Sequence, residues 1–588
     1  MIWRPWQVLV VLYAALSITV VNAYKHISSD HVVNTTLGQI RGVPQNFEGK
    51  KVTAFLGVPY GQPPTGELRF SNPKMVQRWE GQSRILRIFF LFDVITGIKN
   101  ATTPAQPCFH FPDSKFKGFR GSEMWNPKGN MTEDCLNMNI WVPHDADGSV
   151  IVWIFGGGFF TGSPSLDVYN GTALAAKKRT IVVNINYRLG PFGFLYLGDD
   201  SRAQGNMGLQ DQQVALRWVH KHISSFGGDP RKVTLFGEAS GAASATAHLA
   251  APGSYEFFDK IIGNGGTIMN SWASRTNTSM LELSMKLAER LNCTKKRKDP
   301  NTVHRCLVKH PAHVVLKEAA VVSYQIGLVL TFAFIPITSD KNFFQGNVFD
   351  RLRDKDIKKN VSIVLGTVKD EATFFLPYYF GHNGFSFNNS FLADGEENRA
   401  LINISQYNYA MNATAPSLES SLEPLLEAYK NVSTRKEEGE RLRDGVGRFM
   451  GDYFYTCSVI DFANIVSDII NGSLYMYYFT KRSVANPWPE WMGEKLENEK
   501  IFSKNIMSFW KDFIKTGVPV DFWPKYDRKE RKALVLGEES VNNSYPNMTN
   551  VHGPYCELIE EAKASTNNGL TLKKYIEGEI KNNETNVF

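Results

Sequence analysis

The sequence predicts an α/β fold with a large, mostly parallel central sheet flanked by helices. Three observations carry this. Short apolar runs of strand length recur from Gly148 onward, amphipathic or alanine-rich stretches of helix length separate them, and a tight small-residue turn at residues 237–241 joins a strand to a helix. Strands alternating with helices need crossover connections, which place neighbouring strands in parallel and put helices on both faces.

In chain order, residues 149–155 (SVIVWIF) form an apolar run that ends in three glycines, and 180–187 (TIVVNINY) form a second. Residues 206–226 have helical spacing, with Leu209, Val214, Leu216, Trp218, Val219 and Ile223 at the apolar positions. Residues 232–236 (KVTLF) form a third strand, followed at once by the turn and an alanine-rich helix. Later strands are expected at 362–365 and 474–479. Residues 84–99 (RILRIFFLFDVITGIK) are strongly apolar without a clear period, and fit a buried helix or a buried strand equally. No internal repeat is present.

The ends and the composition bear on compartment. The 588 residues are 43% apolar and carry a net charge of +7, small for this length, so nothing points to a nucleic-acid partner. The basic tetrad Lys295-Lys296-Arg297-Lys298 reads as a solvated loop rather than a nuclear address. At the N-terminus Arg4, the apolar stretch 8–21 and the small residues before the junction after Ala23 form a secretory signal. The expected organisation is a signal peptide at 1–23, one domain at 24–565 and a short polar tail at 566–588. No later run is long and apolar enough to span a bilayer, and the tail lacks a lipid-anchor signal, so no membrane anchor is expected. Fifteen Asn-X-Ser/Thr sequons suit an exported glycoprotein. The six cysteines, Cys108, Cys135, Cys293, Cys306, Cys457 and Cys556, read as disulfides, with fifteen pairings open. No Cys-X-X-Cys and no histidine cluster occur, so neither metal nor cofactor is expected.

The chemistry concentrates at Phe236-Gly237-Glu238-Ala239-Ser240-Gly241-Ala242. A strand entering a sharp turn and then a helix is the setting of a nucleophile elbow, Gly-X-Ser-X-Gly, in which the central serine is lifted above the sheet edge. Here the central residue is Ala239, and the serine stands one place late. Ser240 is expected to lend its backbone N–H while its hydroxyl points away from the attack position.

Several further segments resemble the type-B carboxylesterase family. They are Phe55-Leu56-Gly57-Val58-Pro59-Tyr60, Glu133-Asp134-Cys135-Leu136, Gly156-Gly157-Gly158-Phe159, Gly205-Asn206-Met207-Gly208 and Phe226-Gly227-Gly228-Asp229-Pro230. Through Gly121-Ser122-Glu123-Met124-Trp125-Asn126-Pro127 and Trp488-Pro489-Glu490-Trp491-Met492-Gly493, the chain is similar to the family's cholinesterase branch, invertebrate acetylcholinesterases above all. The resemblance implies an α/β-hydrolase fold and a family reaction, hydrolysis of acetylcholine and other carboxylic esters in neurotransmitter breakdown. It places the oxyanion-hole donors at Gly157, Gly158 and Ser240, and the acidic triad member at Glu371. It places a choline-binding face at Trp125, Glu238 and Phe374, with Asp113 at the mouth and Phe332 in the acyl pocket. Trp125 and Glu238 supply the aromatic face and carboxylate that a quaternary ammonium needs. The implied disulfides are Cys108–Cys135, Cys293–Cys306 and Cys457–Cys556. With the family's subunit-linking cysteine absent, a monomer or non-covalent dimer is expected, secreted and, by family analogy, synaptic.

Two departures decide the expected activity. Ala239 fills the nucleophile position, and the family's histidine-bearing segment is missing after Gly493. Beyond Glu371 only His382 and His552 remain, and neither has the spacing of the base. Losing one triad member costs such a hydrolase roughly 10⁴–10⁶-fold. The expectation is a pseudoenzyme that binds a choline-type ligand or an extracellular protein partner. The alternative is a weak or active serine esterase that uses Ser240.

Overall fold

Alternating burial explains how the sheet forms. In Val150–Ile154, Val150, Val152 and Ile154 enter the larger apolar core on one face, and Ile151 enters a second core on the other. Ile261 and Ile262 split the same way, as do Ile363 and Val364. A strand buried on both faces must be apolar throughout, which is why these segments read as continuous hydrophobic runs.

The structure is a computed structural model that describes residues 27, 31–79, 97–295, 299–492, 498–567 and 569–579. The signal segment, residues 84–96 of the apolar stretch, Lys296–Lys298 of the tetrad and Gly493–Glu497 lie outside the described residues. The strands are β1 (Val32–Thr35), β2 (Gly38–Arg41), β3 (Val43–Phe47), β4 (Lys50–Pro59), β5 (Ile98–Asn100), β6 (Asn137–Pro143), β7 (Val150–Ile154) and β8 (Ile181–Ile185). They continue with β9 (Val233–Glu238), β10 (Lys260–Asn264), β11 (Ser339–Asp340), β12 (Gly346–Asn347), β13 (Ser362–Val368), β14 (Leu474–Phe479), β15 (Lys532–Leu536) and β16 (Asn547–Thr549).

Eleven strands form one sheet in the order β16-β15-β14-β13-β10-β9-β7-β8-β6-β4-β3. From β15 through β8 all neighbours are parallel, while β3, β4, β6 and β16 join antiparallel at the two ends. Helices such as Met207–His222 and Glu499–Thr516 cover the faces. This is the expected α/β-hydrolase architecture. A separate three-stranded sheet, β1-β2-β5, includes Ile98 and Lys99 from the end of the unassigned apolar stretch, where they are exposed.

The three disulfides join the implied partners: Cys108–Cys135, Cys293–Cys306 and Cys457–Cys556. The domain packs further than residue 565. Within the stretch read as a polar tail, the helix Leu572–Ile576 buries Tyr575 and Ile576. Its Lys573 pairs with Asp461 at 2.9 Å, and Tyr575 bonds Asp350 and Arg353. Apolar and paired side chains every third or fourth residue dock this segment where composition alone read as polar.

Candidate functional site

β9 ends at Glu238 and the helix Ser240–Ala247 begins two residues later. Between them Ala239 is held at φ 49°, ψ −118°. These are the angles of the first central position of a type II′ turn, which glycine dominates. The neighbouring glycines enforce the bend. A Cβ on Gly237 would lie 2.2 Å from the Gly241 carbonyl carbon, and one on Gly241 would lie 2.0 Å from the Ile154 oxygen at the end of β7. Ala239 N–H donates to Asn264 O at 2.9 Å, which ties the turn to β10. The elbow is therefore fully formed around a methyl group.

Ser240 is completely buried. Its Oγ accepts from the Phe159 N–H at 3.3 Å and interacts with the Tyr187 phenol. The hydroxyl thus points behind the glycine loop, as the late serine predicted. The loop takes glycine-only angles, φ 122° at Gly157 and 61° at Gly158. A Cβ on Gly157 would sit 2.3 Å from Thr161 O, and one on Gly158 would press on the rings of Phe160 and Phe332. Among the described residues, no backbone or side-chain acceptor takes the N–H of Gly157, Gly158 or Ser240. Three backbone donors at the elbow and the glycine loop therefore have no protein acceptor.

Two carboxyls border this group. Glu238 keeps solvent-accessible surface although the protein around it is dense, and a Cβ on Gly156 would lie 2.4 Å from its Oε2. Burial pushes its pKa up to about 7. Glu371 is partly buried, and its Oε1 accepts from Val368 N–H at 2.8 Å. Burial first, then the charges of Glu238, Asp370 and Asp452, push it up to about 8 against that bond. The two glycines after β10 separate it from the elbow. A Cβ on Gly265 would lie 3.2 Å from Glu371 Oε2, and one on Gly266 would lie 2.6 Å from Ala239 O.

Neither remaining histidine reaches this centre. His382 is exposed. His552 is engaged elsewhere: Nδ1 lies 2.5 Å from Asp452, and Nε2 lies 2.7 Å from both Arg448 and the Tyr478 hydroxyl. Because arginine only donates, Nε2 is the acceptor and the ring donates from Nδ1 to Asp452.

Several of the implied ligand-binding residues are linked by direct contacts. Phe374 packs within 5.3 Å of Phe375, Tyr378 and Trp488. Asp113 accepts from the Tyr378 hydroxyl at 2.5 Å and from Ser122 Oγ at 2.7 Å, which links the mouth residue to the Phe374 cluster. Phe332 lies 4.8 Å from Phe160 beside the glycine loop. Trp125 is 40% exposed and makes no ring contact with Phe374 among the described residues, while its backbone N–H donates to Ser122 O at 3.1 Å. Trp488 is the hub that sequence reading passed over, seen there only as part of a motif. It contacts Phe116, Phe119, Phe374, Tyr378 and Phe387, and its Nε1 donates to Gly121 O at 3.2 Å. A cavity of about 300 Å³ opens beside the loop that carries Glu371, lined in part by Lys369, Asp370, Arg448, Glu490 and Trp491. Cys293, Cys306 and His310 cluster at ligand distance, but both sulfurs are committed to a disulfide.

The model of the carboxylesterase family covers residues 29–552. Acetylcholinesterase 4 of Caenorhabditis briggsae is 37% identical over 545 residues, 84% of each chain. Cholinesterase of Mus musculus is 35% identical over 542 residues, 87% of this chain and 84% of its own. Acetylcholinesterase of Bungarus fasciatus is 32% identical over 536 residues, 87% and 83% of the two chains. With that coverage and the fold in agreement, the chain belongs to the carboxylesterase family, on its cholinesterase branch.

Proposed function

We propose that this protein is a secreted cholinesterase-like pseudoenzyme that holds a choline-type ester or cation and cuts esters very poorly. The carrying observation is the elbow itself. Ala239 presents a methyl where attack requires an oxygen, and the neighbouring Ser240 hydroxyl is buried against Phe159 N–H. The free N–H groups of Gly157, Gly158 and Ser240 support retention of ester-carbonyl binding. With a methyl at 239 and, among the described residues, no imidazole bonded to Glu371, residual catalysis is limited to the roughly 10³–10⁴-fold over water that an oxyanion hole and binding supply alone.

The relatives named as acetylcholinesterases and a cholinesterase support choline esters as the ligand class. Glu238 supports it chemically, since a carboxylate attracts a quaternary ammonium. Titration with a quaternary ammonium, followed by tryptophan fluorescence and calorimetry, is expected to saturate below millimolar ligand. No saturable signal at millimolar concentration removes the ligand reading. An organophosphate probe is expected to leave Ser240 unlabelled, and a covalent adduct there would establish the serine-esterase alternative. Ala239→Ser alone is expected not to restore hydrolysis, because no histidine contacts the elbow among the described residues. The extracellular, synaptic setting, any protein partner and the monomeric or non-covalently dimeric state belong to this same proposal.

A further inference from the structure

The sequons are not scattered evenly over the fold. Three of their asparagines lie within β-strands, and all three strands are sheet edges. Asn34 is on β1 and Asn100 is on β5, the two outer strands of the three-stranded sheet. Asn547 is on β16, one outer strand of the eleven-stranded sheet. Among the described residues, no interior strand carries a sequon. The remaining edge of the large sheet, β3, contains Pro44, which has no N–H to offer a new strand.

All three asparagines are exposed, and their acceptor nitrogens are free. Asn34 uses only its Oδ1, which accepts from Gln39 Nε2 at 2.8 Å. The side chains of Asn100 and Asn547 make no hydrogen bond among the described residues. Asn277 is the contrast. It is partly buried, and its Nδ2 already donates to Ser339 O at 2.9 Å.

An unprotected edge presents a row of backbone N–H and C=O groups to any extended segment, including another copy of the chain. A new strand must approach to about 4.8 Å, and side chains at an edge stand beside that path. A sugar is as wide as that spacing, so an N-linked chain on an edge residue blocks the approach. We infer that Asn34, Asn100 and Asn547 are N-glycosylation sites whose glycans cap the open sheet edges against strand addition. Each glycan is joined by the ordinary condensation in the secretory pathway: Asn Nδ2 displaces the lipid-linked pyrophosphate leaving group and loses one proton.

The test uses the full chain expressed in a secreting eukaryotic cell. Glycopeptide mapping with amidase release is expected to find Asn34, Asn100 and Asn547 occupied and Asn277 bare. Trimming the folded, secreted protein with an endoglycosidase is expected to convert its native sedimentation species into larger, concentration-dependent assemblies. The N34Q/N100Q/N547Q variant is expected to behave the same way. If that variant fails to leave the cell, the trimmed wild-type protein decides alone. Secreted protein that is bare at the three sites overturns the inference, and so does trimmed protein whose sedimentation is unchanged. Protein retained in the cytosol overturns the secretory reading instead, and the two failures are told apart by where the chain is found.

Discussion

Ala239 is held in backbone strain that glycine would relieve, so replacing it with glycine should stabilise the protein. A non-glycine residue at φ 49°, ψ −118° lies in a sparsely populated region, which costs about 1–3 kcal/mol. Glycine removes that cost but loses about 0.5–1 kcal/mol through the greater freedom of its unfolded chain. Ala239 is only partly buried, so its methyl gives up a fraction of the ~0.8 kcal/mol of a fully buried carbon. The balance is about 1 kcal/mol in favour of Ala239→Gly. Ala243, four residues on in the same helix and fully buried, supplies the opposite case. There Ala243→Gly loses about 1 kcal/mol of helix propensity and the whole methyl, for a destabilisation of about 2 kcal/mol. Denaturant midpoints and melting scans on the two variants measure the contrast. For a domain of this length 1 kcal/mol moves the melting point by about 1 °C, so the sign separation between the variants is the readout. If Ala239→Gly destabilises alongside Ala243→Gly, the strain argument is wrong.

Three other perturbations follow from a buried pair, a disulfide and the two raised carboxyls. Asp211 receives two bonds from the Arg188 guanidinium at 2.8 Å and one from its backbone N–H, with both side chains buried. Asp211→Ala strands that cation and should cost about 3–5 kcal/mol, seen as a lower denaturant midpoint or loss of secreted protein. Cys457–Cys556 closes a separation of 99 residues and ties the helix Gly553–Thr566 to the body. The double serine variant should lose about 4–5 kcal/mol by the chain-entropy account, read as a melting shift under oxidising conditions. Glu238 and Glu371 are raised from 4.5 to about 7 and about 8, so the folded state binds their protons more tightly than the unfolded state. Stability from these groups is therefore complete below pH ~4.5 and is lost as pH rises towards about 8. Melting points should fall across that window, and Glu371→Gln should flatten part of the fall. An unchanged slope in the variant would exclude Glu371 as a contributor.

What could be read from the chain follows from how locally each feature is determined. β7, β8, β9, β13 and β14 were legible because burial on both faces makes them apolar without interruption. β4 begins Lys50-Lys51 and pairs antiparallel near the sheet's end, so its pattern is mixed, and β10 is a five-residue strand that starts on a lysine. Those were missed. The docked helix after residue 571 was missed for the same reason, since its few apolar residues matter only against Asp350, Arg353 and Asp461. The exposure of Trp125 and the aromatic hub at Trp488 depend on contacts between distant segments, which no local pattern contains.

The elbow was legible for a different reason, and that reason explains how its chemistry could be lost. Its shape is imposed by the missing Cβ atoms of Gly237 and Gly241 and by the bond from Ala239 N–H to Asn264 O. None of these involves the side chain at 239. The backbone therefore holds the bend whether or not a serine stands there, and substitution to alanine removes the oxygen without a folding penalty of its own. Glu371 behaves otherwise. Its carboxyl is raised in pKa by burial and holds one backbone bond, a cost that the fold carries. Glu371→Gln should thus stabilise the protein most at alkaline pH, whereas Ala239→Gly should stabilise it equally at every pH. Finding the same pH profile for both variants would show that the two sites are one coupled unit rather than two independent remnants.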